Sequence, residues 1–225
     1  MKKEEIGRFI CQELPRHHLQ NMLASIEAAF SKSDRQLKDS YQKVPLMGPG
    51  PQSHHYMVQE ALLNLPFDDT FEVVNYPTQP AGGHFALIRA GDLQITTSVI
   101  TVGRKPPIRD AAFRRSLSET NKRLEREHPD LFRPCASSLG PSQDSLHALI
   151  LPHTVKWTES DHSSPIGIVV AVPYSNPKAG FHFLEEVDQL WQYYDEADGG
   201  LEDIAYPALR DRMRRAEKGD QNEAG

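Results

Sequence analysis

Residues 82–103, Gly-Gly-His-Phe-Ala-Leu-Ile-Arg-Ala-Gly-Asp-Leu-Gln-Ile-Thr-Thr-Ser-Val-Ile-Thr-Val-Gly, constrain the fold more than any other stretch. Two apolar arms meet at Ala90-Gly91-Asp92, and β-branched residues fill the second arm. That pattern predicts a hairpin of two β-strands. The outgoing arm offers Gln94, Thr96, Thr97, Ser98 and Thr101, with no carboxylate and no lysine. Its side chains suit a scaffold better than a seat for metal or acid–base chemistry.

Other periodicities place elements around the hairpin. Residues 4–14 carry Ile6, Phe9, Ile10 and Leu14 on one helical face, and Pro15 opens a second helix with Leu19, Met22, Leu23, Ile26 and Phe30. Residues 31–43 extend or end that helix, and Met47-Gly-Pro-Gly-Pro51 reads as a break. A third helix is expected over 52–64, stopping before Pro66, then strands over 71–76, 146–151 and 167–172. A polar helix over 108–127 has the stripe Ile108, Ala112, Phe113, Leu117 and Leu124. Loops are expected over 134–145 and 154–165, and Leu184, Val187, Leu190, Trp191 and Tyr194 mark a last helix. A short basic helix over 207–215 and a disordered tail over 218–225 complete the chain. The order predicts an α+β fold: a single mixed β-sheet of about five strands with an N-terminal helical section and flanking helices. The expected division is 1–44 helical, 45–200 core, and 201–225 basic helix and tail.

Composition narrows the partner classes. The 225 residues hold 31 acids against 25 bases, a net charge of −6. Phosphate neutralisation supplies most nucleic-acid affinity, so this balance argues against nucleic acid as the main partner. Arg104, Lys105, Arg109, Arg114 and Arg115 cluster after the hairpin as a local positive patch or a solvated helix start. The two cysteines, Cys11 and Cys135, form no C-x-x-C pair, which suits a reducing cytoplasm. The charged start Met1-Lys-Lys-Glu-Glu-Ile6, with no long apolar run behind it, predicts a cytoplasmic protein without membrane association.

The sequence carries no P-loop, G-x-G-x-x-G, G-x-S-x-G or H-E-x-x-H pattern, so no cofactor, metal or nucleophilic residue is expected. The doublets His17-His18 and His54-His55 are adjacent, so on a helix they would point about 100° apart and are expected not to chelate one ion. Arg123 and His128 fit the R-x4-H spacing of small helical ribonucleases, but this chain is not all-helical. The element order also resembles that of restriction-endonuclease-like nucleases, whose core is helix–three strands–helix–strand. That resemblance implies an acid at the second strand, for which Asp92 is the candidate, and an acid-x-lysine on the third. The third strand reads Leu93-Gln-Ile-Thr-Thr-Ser98 there, so the resemblance stops at topology.

One segment reads as a ligand. In Pro51-Gln52-Ser-His-His-Tyr56-Met-Val-Gln59-Glu-Ala-Leu62-Leu63-Asn-Leu65-Pro66-Phe67, two glutamines each precede a large hydrophobe four positions on: Gln52 with Tyr56, and Gln59 with Leu63 after Leu62. This spacing resembles the short motif by which bacterial replication proteins bind the sliding clamp, and the segment is similar to clamp-binding replication-inhibitor toxins of the SocB type. The resemblance implies a glutamine at the pocket rim and hydrophobes within the pocket. It further implies a toxin that inhibits DNA replication without chemistry, with the clamp and a cognate antitoxin as partners. The opposing expectation is a core helix that buries Leu62 and Leu63. Nuclease activity, or an inactive nuclease relative, is the alternative.

Overall fold

Three helices precede the first strand, and their apolar stripes determine how they pack. The computed structural model describes residues 3–41, 49–78, 83–102, 111–125, 145–156 and 161–198. Helix α1 (Lys3–Glu13) buries Ile6, Gly7, Ile10 and Cys11. Pro15 then turns the chain, and α2 (Arg16–Ser40) buries Leu19, Met22, Leu23, Ile26, Phe30 and Leu37. Proline suits this junction because its missing N–H would have no intrahelical partner at a helix start. Helix α3 (Pro49–Leu63) lies along α2 and buries His54, Val58, Gln59 and Leu62. The Pro-Gly-Pro run is therefore the first turn of α3, not a break before it, for the same reason.

The strands are β1 (Phe71–Pro77), β2 (His84–Ala90), β3 (Leu93–Thr97) and β4 (Ile100–Thr101), then β5 (Leu146–Thr154), β6 (Gly167–Pro173) and β7 (Phe181–Glu186). Between β4 and β5 lie α4 (Ala112–Ser118), a 3₁₀ turn (Glu119–Asn121) and α5 (Lys122–Glu125), and α6 (Val187–Asp198) follows β7. The seven strands among the described residues form one mixed sheet in the order β1-β2-β3-β5-β6-β7, with β4 also along β5. Strands β1, β2 and β3 form an antiparallel meander, β3 and β4 run parallel to β5, and β5, β6 and β7 are antiparallel again. The parallel β3–β5 pair requires a long crossover, which the α4–α5 segment supplies.

Register assigns the two faces. Phe85, Leu87, Thr96, His147 and Leu149 share one face, and Ala86, Ile88, Ile95, Thr97 and Ile150 the other. On the first, Phe113 of α4 stacks on Phe85 with ring centroids 3.9 Å apart. On the second, Gln59 of α3 reaches Thr97. Strand β5 is buried along nearly its whole length, as expected of a strand covered on both sides. The α+β class is as expected, with seven strands where about five were anticipated.

The added strands have local causes. The outgoing hairpin arm divides at Ser98-Val99 into β3 and β4, while the N–H of Ser98 still donates to the carbonyl of Ile150. Leu184, expected in the last helix, lies in β7 and is exposed. The polar helix is interrupted at Glu119–Asn121 because Asn121 turns inward: its amide donates to the carbonyls of His147 (2.9 Å) and Pro173 (2.8 Å). At the hairpin, Ala90 opposes Leu93, leaving Gly91-Asp92 as the turn, with Gly91 at φ +53°. Residues 3–194 lie within one compact unit, Met1–Tyr194. The expected basic helix over 207–215, the tail over 218–225 and most of the loop over 134–145 lie outside the described residues. No helix among the described residues is long and apolar enough to cross a membrane.

Candidate functional site

The hairpin's threonines are committed to structure. Thr96 Oγ1 lies 3.1 Å from His147 Nε2, and Ser118 Oγ lies 3.1 Å from His147 Nδ1. Asn121 closes the group by accepting from the His147 N–H at 2.9 Å. With no exposed edge, His147 is held neutral: burial, and then the nearby Arg114 charge, push its pKa down to about 3. Arg114 was expected on a surface patch. It is buried instead and donates to the carbonyl of Thr97 at 3.2 Å. Arg115 is exposed, and Arg104, Lys105 and Arg109 lie outside the described residues. Asp92, the candidate acid, is exposed, and its own N–H donates to the Glu13 carboxylate at 2.8 Å.

Helix α3 has two dissimilar sides. Gln59 donates from Nε2 to Thr97 Oγ1 at 2.7 Å and accepts from the Ala86 N–H at 2.6 Å. The β2–β3 ladder ends at Ile88 opposite Ile95; two residues further, Ala86 would oppose Thr97. Gln59 therefore bridges the sheet where these strands part. Leu62 is fully buried and Leu63 half-buried, so Gln59 and Leu62 are core residues and not a surface motif in this structure. The physical reason is the opened ladder, which leaves a backbone donor that a long amide can satisfy. Gln52 and Tyr56, one helical turn apart, face outward, with Tyr56 61% exposed, and Phe67 beyond the helix is 82% exposed.

Two histidine clusters were not anticipated from sequence. His54 Nε2 donates to the carbonyl of His162 at 2.9 Å, so its Nδ1 accepts from Ser33 Oγ at 3.0 Å in the neutral form. This cluster joins α2, α3 and the 161–165 segment. The second brings together His17, His18 and Asp68, whose ligand atoms all lie within 4.8 Å of one another. The rings of His17 and His18 are 4.0 Å apart. Adjacent helical positions diverge at Cβ, but ring nitrogens several bonds further out can converge at a helix's first turn. That correction removes the geometric objection to shared chelation. The loop carrying Asp68 completes the cluster, a closeness in space that no sequence spacing encodes.

Nucleophilic chemistry finds no support at Cys11. Its Sγ is buried, donates weakly to the carbonyl of Leu190 at 3.8 Å, and burial pushes the thiol up to about 12. Cys135 lies outside the described residues. No family model, curated protein or solved structure matches the chain. The functional reading therefore rests on the geometry above.

Proposed function

We propose that this chain is a non-enzymatic interaction protein that binds a protein partner through the outward side of α3 and the turn behind it. The observation that carries the reading is the pairing of Gln52 and Tyr56 on the exposed side of α3, with Phe67 exposed on the same segment. Exposed aromatic anchors beside one orienting polar group are the usual elements of peptide-type recognition. Gln59 and Leu62 are engaged in the core, which favours Gln52 as the leading residue.

In its most specific form the partner is a replication sliding clamp, and the chain is a toxin or regulator that excludes polymerase from the same pocket. No bond need be made or broken: occupancy alone inhibits. Displacement of a labelled clamp-binding peptide from purified clamp tests this. The parent chain should displace the peptide, and Tyr56→Ala should need at least about tenfold more protein, as for loss of a binding anchor. Equal displacement by parent and by a Gln52→Ala/Tyr56→Ala double variant would overturn it.

A second reading is favoured by one observation, the order of three antiparallel strands, helices and a strand parallel to β3. It matches the core order of restriction-endonuclease-like nucleases and supports an inactive relative, since β3 carries Gln94 and Thr96 where the acid and lysine belong. Metal-dependent cleavage of DNA or RNA that disappears in Asp92→Ala would promote an active nuclease above both readings.

A further inference from the structure

We propose that His17, His18 and Asp68 bind one divalent transition-metal ion of the zinc type, held between the first turn of α2 and the loop before β1. Two imidazoles and one carboxylate form a donor set suited to borderline divalent ions, and three protein ligands leave positions open for water or an external donor.

The carboxylate is oriented before any ion arrives. Asp68 Oδ1 accepts from the Thr70 N–H (2.8 Å), Thr70 Oγ1 (2.8 Å) and the Phe71 N–H (2.9 Å). That leaves Oδ2 directed at His18, 2.9 Å from Nε2. Two ligand atoms each about 2.0–2.2 Å from one ion sit roughly 3.0–3.5 Å apart, from octahedral to tetrahedral geometry, so a small opening of this pair admits shared coordination. The His18 nitrogen is buried, with the Asp68 carboxylate oxygen 2.9 Å away facing it. An ion between the two atoms would satisfy both.

The ring of His18 cannot turn away freely. It stacks on Phe71 with centroids 4.2 Å apart and planes 10° apart. Since Phe71 also donates to Asp68, one residue positions two of the three ligands. His17 is exposed and supplies the third ligand, with its donor atom within 4.8 Å of the others. The positive end of α2 opposes a cation, and the Asp68 charge offsets that opposition. The inference does not rest on the proposed partner, although Asp68 follows Phe67 in the turn behind α3.

The test is calorimetric titration of Zn²⁺ into the untagged chain, with His17→Ala, Asp68→Asn and, as a control, His84→Ala on β2. The parent should bind one Zn²⁺ per chain, with affinity weakened at least tenfold in His17→Ala and in Asp68→Asn and unchanged in His84→Ala. Zn²⁺ should raise the parent's melting temperature and leave that of His17→Ala nearly unmoved. Exposed His17 is not part of the core, so this variant should melt like the parent in chelator. Asparagine at 68 keeps an oxygen for the Thr70 and Phe71 donors. Absence of saturable Zn²⁺ binding, or binding unchanged in both ligand variants, would overturn the site and leave His18 and Asp68 as a close contact alone.

Discussion

Gln59 joins three elements through one amide: α3 carries it, β2 donates to its oxygen and β3 accepts from its nitrogen. Truncation would leave the buried Ala86 N–H and Thr97 hydroxyl without these partners. Gln59→Ala should therefore lower the unfolding free energy by about 1–3 kcal/mol, read from urea melts. An unchanged midpoint would show that water replaces the amide. Gly91 is a second sensitive position. It sits at φ +53°, and an added Cβ would meet the Glu13 carboxylate that accepts the Asp92 N–H. Gly91→Ala should cost about 1–2 kcal/mol, whereas Asp92→Ala, at an exposed side chain, should stay within about 0.5 kcal/mol. At this scale the sequence was informative about the turn, because glycine between two β-rich arms has few other uses. It was silent about Gln59, because nothing local shows that β2 and β3 part at Ala86.

Helix α3 shows how one element divides between folding and recognition. Its inner side, with Val58, Gln59 and Leu62, faces α2 and the sheet, while Gln52 and Tyr56 face outward. The two sides should separate in stability. Leu62→Ala should cost about 2–5 kcal/mol because it empties a fully buried site, and Tyr56→Ala about 0.5 kcal/mol or less. Comparable losses from both would place Tyr56 in the core and remove the proposed binding face. Both glutamine registers were visible in the sequence. Spacing alone did not rank them, because glutamine suits a solvated surface and a buried bridge equally well. The first turn of α3 is not legible because Pro-Gly-Pro usually interrupts a helix, yet proline at a helix start loses no hydrogen bond.

At the scale of the whole molecule, several histidines are buried or half-buried, and stability should depend on pH accordingly. Burial holds His147 near pKa 3 and lowers His18, His54, His153 and His182 below the ordinary value. The unfolded chain binds protons near pH 6.5 that the folded chain refuses, so stability is full above that pH and falls as pH drops below it. For His147 the loss continues to about pH 3, at up to roughly 1.4 kcal/mol per pH unit. Urea midpoints should therefore decline between pH 6.5 and 4.5, and His147→Gln should decline less steeply from a lower starting value. A flat profile would contradict the neutral, buried state of these rings.

The mixed sheet was legible because β-branched runs and turn residues are local signals. The buried His147 group was not, since His147, Ser118 and Asn121 meet only through the crossover between β3 and β5. The same crossover removes Arg114 from the surface. With the hairpin committed to structure, the outward side of α3 is the proposed point of contact with other molecules. Calorimetric titration of purified sliding clamp with the parent chain and with Tyr56→Ala tests that proposal most directly. Saturable binding by the parent, weakened at least about tenfold in Tyr56→Ala with its fold intact, is the predicted result. Parent protein that does not bind the clamp, or a variant that binds equally well, would contradict it.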